Sequence, residues 1–299
     1  MCGITGAVWS DQRQSIAPEV LAKMTDAISH RGPNDSQTWI STSQRDAYGN
    51  PIGVGLGFRR LSIIDLEGAR QPMSNEDGTV RMVFNGEIYN YQTLRRRLEG
   101  RGHHFATEGD GESILHLYED HGADCFNHLN GMFAIGIWDA TRTRFVLARD
   151  RIGQKPLYYA VKNNRLVFGS ELKSLAAVDG VCEEIDPAAI DEFLTYQYVP
   201  HPGSIWKGVR KLAPGHMAIY EDGKLTVHRY WNFDPSMEKP IDGETACERL
   251  RELLTDSVKM RMQSDVPLGS FLSGGIDSSL ITAIANEQSS SSIRTFSIG

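Results

Sequence analysis

Apolar and polar residues alternate along residues 79–84, where Val80, Met82 and Phe84 fall on one face. A period of two is typical of a strand that buries one of its faces, so this stretch predicts a half-buried strand. Residues 85–87, which read Asn-Gly-Glu, come next and are typical of a turn, because Asn-Gly favours the positive φ angles of tight hairpins. The pattern therefore predicts a strand that runs into a turn.

The next apolar positions repeat with the period of a helix. A helix is predicted to begin at the cap Asn90, to carry Leu94 and Leu98 on one face, and to end at a nearby glycine. A second helix fits residues 111–121, with Gly122 as its stop.

Two hairpins are predicted farther along the chain. Residues 133–139 and 144–150 flank a short polar turn at 140–143, and residues 157–161 and 165–169 flank a second one at 162–164. Many short strands mixed with a few helices predict an α+β layered domain.

The pattern changes after residue 195. Residues 195–240 are rich in proline and glycine and predict a connector with a small sheet element. An amphipathic helix is predicted at 243–262. Its apolar face carries Leu250, Leu253, Leu254 and Val258. The elements that follow are a buried strand at 267–272, a loop at 273–277, a helix at 278–287 and a strand at 294–298. This order is typical of the start of a parallel sheet.

Composition narrows the class of protein. The chain has 299 residues, of which 40% are hydrophobic, and this predicts an ordinary globular protein of about two domains. Its net charge of -7 and its lack of long Lys/Arg runs argue against nucleic acid as the main partner. No stretch approaches the roughly 18 continuous apolar residues of a membrane helix, so no membrane partner is expected.

The N-terminus and the cysteines predict the compartment. The first residues have neither a basic region nor a long apolar core, so no signal peptide is expected and the predicted location is cytoplasmic. The cysteines lie far apart without C-x-x-C spacing, so we expect neither disulfides nor a cysteine metal site. They are Cys2, Cys125, Cys182 and Cys247.

Cys2 directly follows the initiator methionine. Removal of that methionine would place a free α-amine and a thiol on one residue, and the amine has a pKa low enough to be partly neutral near pH 7. The amine could then accept the thiol proton and activate the sulfur as a nucleophile. Most single cysteines are instead small buried apolar residues, so this reading depends on the residues that follow.

A second candidate for chemistry is the loop at residues 273–279, which reads Ser-Gly-Gly-Ile-Asp-Ser-Ser. It lies between a predicted strand and a predicted helix, where glycines and helix N-terminal N–H groups can face an anion, so it favours phosphate binding. The Walker A pattern G-x-x-x-x-G-K-[ST] is absent from the chain. The alternative reading is an ordinary Gly-Ser turn.

Several motifs together identify a family. In chain order they are MCGITGAVW (1–9), HRGPND (30–35), RRLSIID (59–65), FNGEIYN (84–90), LNGMFAIGIWD (129–139) and RDRIGQKPLYY (149–159). Any one of them is a weak signal, but the ordered set resembles the class II glutamine amidotransferase domain of the N-terminal-nucleophile hydrolases. The resemblance implies a four-layer αββα sandwich over residues 2–215, and it implies Cys2 as the catalytic nucleophile.

The resemblance also implies roles for residues around Cys2. The Asn85 amide and the Gly86 backbone N–H would form an oxyanion hole. Arg60 would hold the α-carboxylate of glutamine, and Asp110 would hold its α-ammonium. The other residues implied to line the glutamine pocket are Leu61, Ile63, Ile64 and Glu87. Asp110 departs from the family in its flanks, because a hydroxyl residue usually precedes this aspartate. His30 is read as structural.

The 273–279 loop resembles the pyrophosphate loop of enzymes that cleave ATP between its α and β phosphates. The residues implied to bind ATP are Ser273, Gly274, Gly275, Asp277, Ser278 and Ile298. Asp277 would also lie near Mg²⁺. With the first domain this resembles the glutamine-hydrolysing asparagine synthetase family, which implies a connector at 216–240 and the start of an α/β parallel-sheet ATP-pyrophosphatase domain at 241–299.

The resemblance implies one overall reaction. Glutamine would be hydrolysed at Cys2 through a thioester, and the ammonia would pass to an aspartyl-adenylate to give asparagine, glutamate, AMP and pyrophosphate. The chain ends about 20 residues past the loop, before a parallel sheet could close its core, so we expect a fragment that hydrolyses glutamine without making asparagine. A homodimer is left open.

Three alternatives stay open. The chain could belong to a relative that amidates another carboxylate. It could resemble a sugar-phosphate aminotransferase with the same glutaminase, although such an enzyme needs no ATP loop. It could also be a non-catalytic interaction protein, which retention of the initiator methionine would favour.

Overall fold

The chain folds into two compact units. The first comprises Met1–Ser62 and Glu67–Asn232, and the second comprises Ile63–Leu66 and Phe233–Gly299. The structure is a computed structural model that describes residues 2–45, 49, 51–62, 64–65 and 68–298, apart from the Met237 side chain.

Two antiparallel sheets form the centre of the first unit. The strands of the first sheet are β1 (Gly3–Trp9), β2 (Asp35–Arg45), β3 (Pro51–Arg60), β8 (Tyr158–Lys162), β9 (Arg165–Gly169) and β10 (Val209–Lys211). Those of the second are β4 (Met73–Ser74), β5 (Val80–Ile88), β6 (Gly131–Asp139), β7 (Arg144–Arg149), β11 (His216–Glu221) and β12 (Lys224–Arg229). The strand orders are β10-β8-β9-β1-β3-β2 and β12-β11-β7-β6-β5-β4.

Helices α1 (Pro18–Asp26) and α4 (Leu172–Leu175) pack on the outer face of the first sheet, and α2 (Tyr91–Glu99) and α3 (Glu112–His121) pack on that of the second. Helix α5 (Pro187–Tyr196) is mostly exposed. Short 3₁₀ turns lie at Gln12–Gln14, Ser29–Arg31, Gly122–His128 and, in the second unit, Pro235–Met237. None of the helices in the described part of the chain is both long and apolar enough to span a bilayer.

The core of the first unit has three layers. Leu21 of α1 and Leu175 of α4 pack on the outer face of the first sheet with Trp9. A second layer, including Ile4 and Phe145, lies between the sheets. The third layer packs α2 and α3 on the second sheet and includes Leu94, Leu98, Ile114, Met82 and Ile135. Helix, sheet, sheet and helix therefore stack in that order, and the predicted four-layer sandwich is confirmed.

The alternation along β5 is confirmed, but the strand is buried on both faces. Val80, Met82 and Phe84 face the helix-side core, and Val83 faces the core between the sheets. Both sides of the strand are covered because a four-layer sandwich places a layer on each side of each sheet. The prediction of a half-buried strand was therefore wrong.

The predicted turn at residues 85–87 was also wrong. β5 continues through Asn85 and Gly86, which pair with Ala134 and Phe133 of β6. The long-range pairing with β6 overrides the local preference of Asn-Gly for a turn. Because side chains alternate along a strand, Asn85 lies on the same face of β5 as Val83, which is the face toward the first sheet.

The two predicted helices and the two predicted hairpins of the first unit are confirmed, whereas α1, α4 and α5 were not predicted. α2 follows Asn90 and buries Leu94 and Leu98. α3 ends before Gly122, whose φ of 57° favours glycine. The pairs β6–β7 and β8–β9 are the predicted hairpins.

Residues 216–229 differ from the predicted connector. They form β11 and β12, and β11 pairs with β7. The first unit therefore extends to Asn232 rather than ending near residue 215. The proline-rich sequence before these strands hid their pairing, because the partner strand lies about 70 residues earlier in the chain.

The second unit contains a small parallel sheet and two helices. They are α6 (Gly243–Arg261), β13 (Gly269–Phe271), α7 (Ile276–Gln288) and β14 (Arg294–Phe296), with β13 parallel to β14. The predicted β-α-β order is confirmed. Its core consists of Val258, Ile284 and Ala285 with partly buried neighbours. Two expectations differ, since Phe271 in the predicted buried strand is 78% exposed and Leu253 of α6 is 61% exposed.

Candidate active site

Cys2 lies directly before β1, which is flanked by β9 and β3 in the first sheet. Its thiol lies against the backbone of Leu61, whose N–H donates to Sγ at 3.4 Å and whose carbonyl oxygen lies 3.5 Å from Sγ. Burial raises the pKa of the thiol, while the Leu61 N–H and the positive charge of Arg60 lower it and Asp110 raises it. The sulfur is therefore protonated near neutral pH unless a base accepts its proton.

Arg31 fixes the backbone of Cys2. Its Nε donates to the Cys2 carbonyl oxygen at 2.9 Å, and its Nη1 forms an ion pair with Glu171 at 3.0 Å. His30 Nε2 lies 2.8 Å from the same Glu171 carboxylate. These contacts support the structural role that was predicted for His30 and its neighbours in HRGP. The specific contact of Arg31 with Cys2 was missed, because only the fold brings these residues together.

Asn85 presents an unpartnered amide in the interior. The residue is 1% exposed, and within the described residues its Nδ2 has no hydrogen-bond partner. Buried donors are almost always paired, so an unpaired amide at this depth is poised for a ligand. Strands β5 and β1 contact each other, and Val83 shares the core between the sheets with Ile4, so the donor lies on the side of β5 that faces the first sheet.

Gly86 cannot be replaced without moving the backbone. A Cβ built on it would lie 2.0 Å from the Met132 carbonyl oxygen and 2.8 Å from the Phe133 Cα. Close approach of β5 and β6 therefore requires glycine here. The same tight register holds the Gly86 peptide in a fixed position beside Asn85.

Asp110 is tied to the end of β5. Its Oδ2 accepts a hydrogen bond from the Ile88 N–H at 2.7 Å. The pKa of the carboxyl is raised to about 7, chiefly by burial and to a smaller extent by the charge of Glu87, while the Ile88 N–H lowers it. A bound cation would favour the charged form, so this carboxyl is suited to pair with an ammonium group.

The structure brings most of the predicted glutamine-pocket residues toward Cys2. Arg60, at the end of β3, is 6% exposed, and Leu61 follows it against the thiol. Glu87 acts electrostatically on Asp110. Ile63 lies outside the described residues. Ile64 is half-buried in a bend that belongs to the second unit.

Lys155 is a further buried charge that the sequence analysis missed. It is 5% exposed, and burial lowers the pKa of its amine, while Glu87, Asp150 and Cys2 raise it. Asp150 fixes the loop, because its Oδ2 accepts the Lys155 N–H at 3.0 Å and the Phe133 N–H at 3.2 Å. The motif RDRIGQKPLYY carries no local signal for this burial, because six of the seven residues at 149–155 are polar, charged or glycine.

The loop of the second unit is built from neighbouring residues. Gly274 has a φ of +82°, and a Cβ built on it would meet nothing within 4 Å. Gly275 is the N-cap of α7 without a side-chain cap, and Ser278 Oγ lies 3.0 Å from Ser273 Oγ. Open helix N–H groups beside a glycine can bind a phosphate group, and this loop offers both.

The other predicted nucleotide residues are exposed. Asp277 lies in the first turn of α7, and Ile298 follows β14 with 96% exposure. A single carboxylate suits Mg²⁺, which is usually held by one or two carboxylates and substrate phosphates.

Two family models match the chain. Residues 1–231 match the one described as a glutamine amidotransferase domain, and residues 249–299 match the one described as asparagine synthase. The chain is 40% identical over 304 residues to asparagine synthetase [glutamine-hydrolyzing] 1 of Bacillus subtilis, covering 100% of this chain and 46% of that protein. It is 37% identical over 308 residues to asparagine synthetase [glutamine-hydrolyzing] 3 of the same organism, covering 100% and 48%. It thus spans about half the length of these curated relatives.

Among solved structures, the fold resembles the glutamine phosphoribosylpyrophosphate amidotransferase of Bacillus subtilis complexed with ADP and GMP. The TM-score is 0.55 at 20% identity, and the match covers 99% of this chain and 65% of that one. At this identity the likeness concerns the fold alone. Together with the glutamine amidotransferase domain that matches residues 1–231, this likeness confirms the predicted N-terminal-nucleophile hydrolase fold.

Proposed function

This chain belongs to the glutamine amidotransferase family, and we propose that it hydrolyses glutamine at Cys2 as the glutaminase half of a glutamine-hydrolysing asparagine synthetase. The single observation that carries the proposal is the buried, unpartnered amide of Asn85 beside the tightly held Gly86. Two such donors are what a tetrahedral oxyanion requires.

The first step is activation of the nucleophile. Loss of Met1 would free the α-amine of Cys2, which accepts the thiol proton directly or through a water. The Arg31 contact to the Cys2 carbonyl oxygen keeps this residue in place during the transfer. The charges of Arg60 and Lys155 stabilise the thiolate that results, because both lie close enough to act on the sulfur.

The second step is attack on the amide. The Cys2 sulfur bonds to the side-chain carbonyl carbon of glutamine, and the oxyanion accepts hydrogen bonds from Asn85 Nδ2 and the Gly86 N–H. The Cys2 amine returns its proton to the nitrogen, and the C–N bond breaks to release ammonia. Water then attacks the thioester, which releases glutamate and restores the thiol.

Arg60 and Asp110 give the site its preference for free glutamine. The guanidinium of Arg60 pairs with the α-carboxylate, and Asp110 pairs with the α-ammonium. The pKa of Asp110 near 7 means that glutamine binding is expected to drive off its proton. Leu61, Ile63, Ile64 and Glu87 are proposed to complete the pocket.

The second half of the proposal concerns the ammonia acceptor. The ATP phosphates would bind at Ser273, Gly274, Gly275, Asp277 and Ser278, with Ile298 at the adenine and Mg²⁺ near Asp277. ATP would activate aspartate as an adenylate, and ammonia would displace AMP to give asparagine. The asparagine synthase match at residues 249–299 supports this reading over a sugar-phosphate aminotransferase. A homodimer and a cytosolic location stay predictions.

The test is ammonia release from glutamine by the purified chain, with loss of Met1 confirmed by intact mass. Cys2→Ala is expected to lower the rate at least about 10³-fold, because no other group can form the thioester. Cys247→Ala is the matched control, since Cys247 is exposed in the second unit and its variant is expected to keep the full rate.

Two results would contradict the proposal. Equal ammonia release by wild type and Cys2→Ala would exclude Cys2 as the nucleophile. A folded protein that has lost Met1 and releases no ammonia would exclude glutaminase activity in this chain. Retention of Met1 with no activity would favour the non-catalytic alternative.

The acceptor needs its own experiment, because no residue assigned here contacts it. In the whole protein, AMP formation with ammonia is expected to depend on aspartate. Stimulation by a different carboxylate, with aspartate inert, would replace asparagine synthesis by amidation of that carboxylate and leave the glutaminase assignment intact.

A further inference from the structure

A group of metal-binding side chains lies away from Cys2 at the outer helix layer of the first unit. One ligand atom each from His103, His116 and Glu119 lies within 4.8 Å of the others. His116 and Glu119 are three residues apart on α3, so they share one face of the helix. His103 comes from the loop that precedes α3.

The Nδ1 atoms of both imidazole rings face the same oxygen of the Glu119 carboxylate. Glu119 Oε2 lies 2.8 Å from His116 Nδ1 and 3.5 Å from His103 Nδ1. The opposite nitrogens face other carboxylates. His103 Nε2 lies 3.2 Å from Asp120 Oδ1, and His116 Nε2 lies 3.7 Å from Glu112 Oε1.

A neutral imidazole cannot donate a hydrogen bond to both of the carboxylates that it faces. A neutral ring has one N–H and one lone pair, so either orientation would turn a lone pair of His116 toward a carboxylate oxygen. His103 has the same conflict between Glu119 and Asp120. A second proton on each ring removes the conflict, as does a metal ion at one nitrogen with an N–H at the other. An ion between the two Nδ1 atoms and Glu119 would leave an N–H at each Nε2 to face a carboxylate.

Carboxylates behind the histidines are the usual support of a metal site. Ligating histidines commonly donate their second N–H to a carboxylate, which fixes the ring and raises its basicity. Asp120 is held in turn by Arg101 Nε at 3.2 Å. The second oxygen of Glu119 accepts a hydrogen bond from Asn75 Nδ2 at 2.8 Å.

The exposures of the three side chains suit a metal site that is closed toward the protein interior and open toward solvent. The side chain of His116 is 2% exposed, whereas those of His103 and Glu119 are 17% and 25% exposed. The Phe105 ring packs edge-on against His116 and covers the site from the loop side, with Arg95 over that ring. An ion could therefore enter from solvent and keep one position for water.

We propose that His103, His116 and Glu119 bind one first-row divalent metal ion, zinc in the first instance. Two imidazole nitrogens, a carboxylate oxygen and an open position form a known zinc ligand set. Ligand atoms around tetrahedral zinc lie about 3.3 Å apart, so the observed separations require side-chain shifts of about an ångström or less.

The site would tie the loop before α3 to the helix. That loop runs from His103 to Asp110, and its middle is already held by Glu112, which accepts the Ala106 N–H at 2.7 Å and the Thr107 N–H at 2.8 Å. A metal ion at His103 adds an anchor at the beginning of the loop. Zinc is therefore expected to slow hydrogen exchange of the backbone amides at 103–109.

The test is calorimetric titration of the metal-stripped chain with zinc chloride, together with the visible absorption of a cobalt complex. One ion per chain is expected. His103→Ala and Glu119→Gln are expected to weaken binding at least 100-fold, and Asp120→Asn about 10–100-fold. His104→Ala is the matched control, because His104 is the exposed neighbour of His103 and should leave binding unchanged.

These variants avoid the buried His116, so they are expected to fold. Zinc affinity that is unchanged in both His103→Ala and Glu119→Gln would overturn the proposal and place the ion elsewhere, for example on a thiol. Absence of binding up to millimolar zinc would also overturn it and leave protons as the groups that resolve the conflict. Binding without slower exchange at 103–109 would overturn the anchoring of the loop.

Discussion

The two units of the chain hold their candidate sites in different ways. In the first unit, the residues around Cys2 come from separate strands and are buried between cores on both sides. In the second, the phosphate loop is one continuous segment on the surface, beside a core of Val258, Ile284 and Ala285. The first site is therefore a product of long-range packing, and the second is a product of local chain geometry.

This difference has a physical consequence. Groups held by packing on both sides can be kept in strained or unpaired states, as the Asn85 amide is, because the surrounding core opposes their relaxation. An exposed loop lacks such support and depends on backbone conformation, as the φ of +82° at Gly274 shows. Substitutions in the first unit should therefore have larger effects than those in the second.

After the loss of Cys2 itself, the largest effect on catalysis is expected for Asn85→Ala. Asn85→Ala removes an oxyanion donor and is expected to lower kcat for glutamine hydrolysis about 10²–10³-fold with little change in KM. Steady-state ammonia release measures both constants, with circular dichroism to verify folding. A kcat near that of wild type would mean that the buried amide does not contact the transition state.

A slightly smaller effect is expected for Asp110→Asn. Loss of the carboxylate should raise the KM for glutamine roughly 100-fold, because a buried ammonium would lose its partner. In wild type, kcat/KM should fall about tenfold for each pH unit below about 7, since the pKa of Asp110 is raised to about 7. Asp110→Asn should lose this dependence, and a retained pH profile would assign it to another group.

The same carboxyl gives a stability prediction of defined sign. Folding raises the pKa of Asp110 from 3.8 to about 7, so the folded state binds the proton more tightly than the unfolded state. The free energy of unfolding should therefore fall as the pH rises from about 4 to about 7. Urea unfolding at a series of pH values should show a smaller fall in Asp110→Asn, and an equal fall would contradict the prediction.

The next prediction compares the cost in unfolding free energy of replacing two glycines, one in each unit. Gly86→Ala forces a Cβ against the Met132 carbonyl oxygen and is expected to cost about 1–3 kcal/mol or more. Gly274→Ala meets no atom and is expected to cost about 1 kcal/mol, through its positive φ, within the second unit.

Tryptophan fluorescence separates these two effects, because all five tryptophans lie within residues 9–231 of the first unit. Gly86→Ala should lower the urea midpoint of the fluorescence transition, and Gly274→Ala should leave it unchanged. Equal shifts in both variants would show that the two units unfold together, which would remove the difference between them.

The smallest effect is expected for Leu253→Ala. Leu253 is 61% exposed on α6, so its loss should change the free energy of unfolding by less than about 0.5 kcal/mol. Val258→Ala on the same helix removes a buried side chain and should cost more. Far-UV circular dichroism during urea unfolding compares the two, and a larger cost for Leu253→Ala would show that this face of α6 is covered.

The sequence determined the elements whose signals are local. Segments on either side of short polar turns gave the hairpins β6–β7 and β8–β9, and Asn90 and Gly122 gave the bounds of α2 and α3, although the Asn90 side chain bonds Asn130 and His128 instead of capping α2. The loop at residues 273–279 between a strand and a helix was likewise predicted from neighbouring residues. Cys2, Asn85 and Arg60 were assigned through ordered motifs rather than from physical chemistry alone.

Features that depend on contacts between segments far apart in the chain were decided only by the tertiary structure. Pairing with β6 turned the expected turn at Asn85 into a strand, and pairing with β7 drew residues 216–221 into the second sheet. The contact of Arg31 with Cys2 and the burial of Lys155 likewise had no local signal. A sequence pattern records which face of an element is apolar, but which element covers that face is settled by packing between segments far apart in the chain.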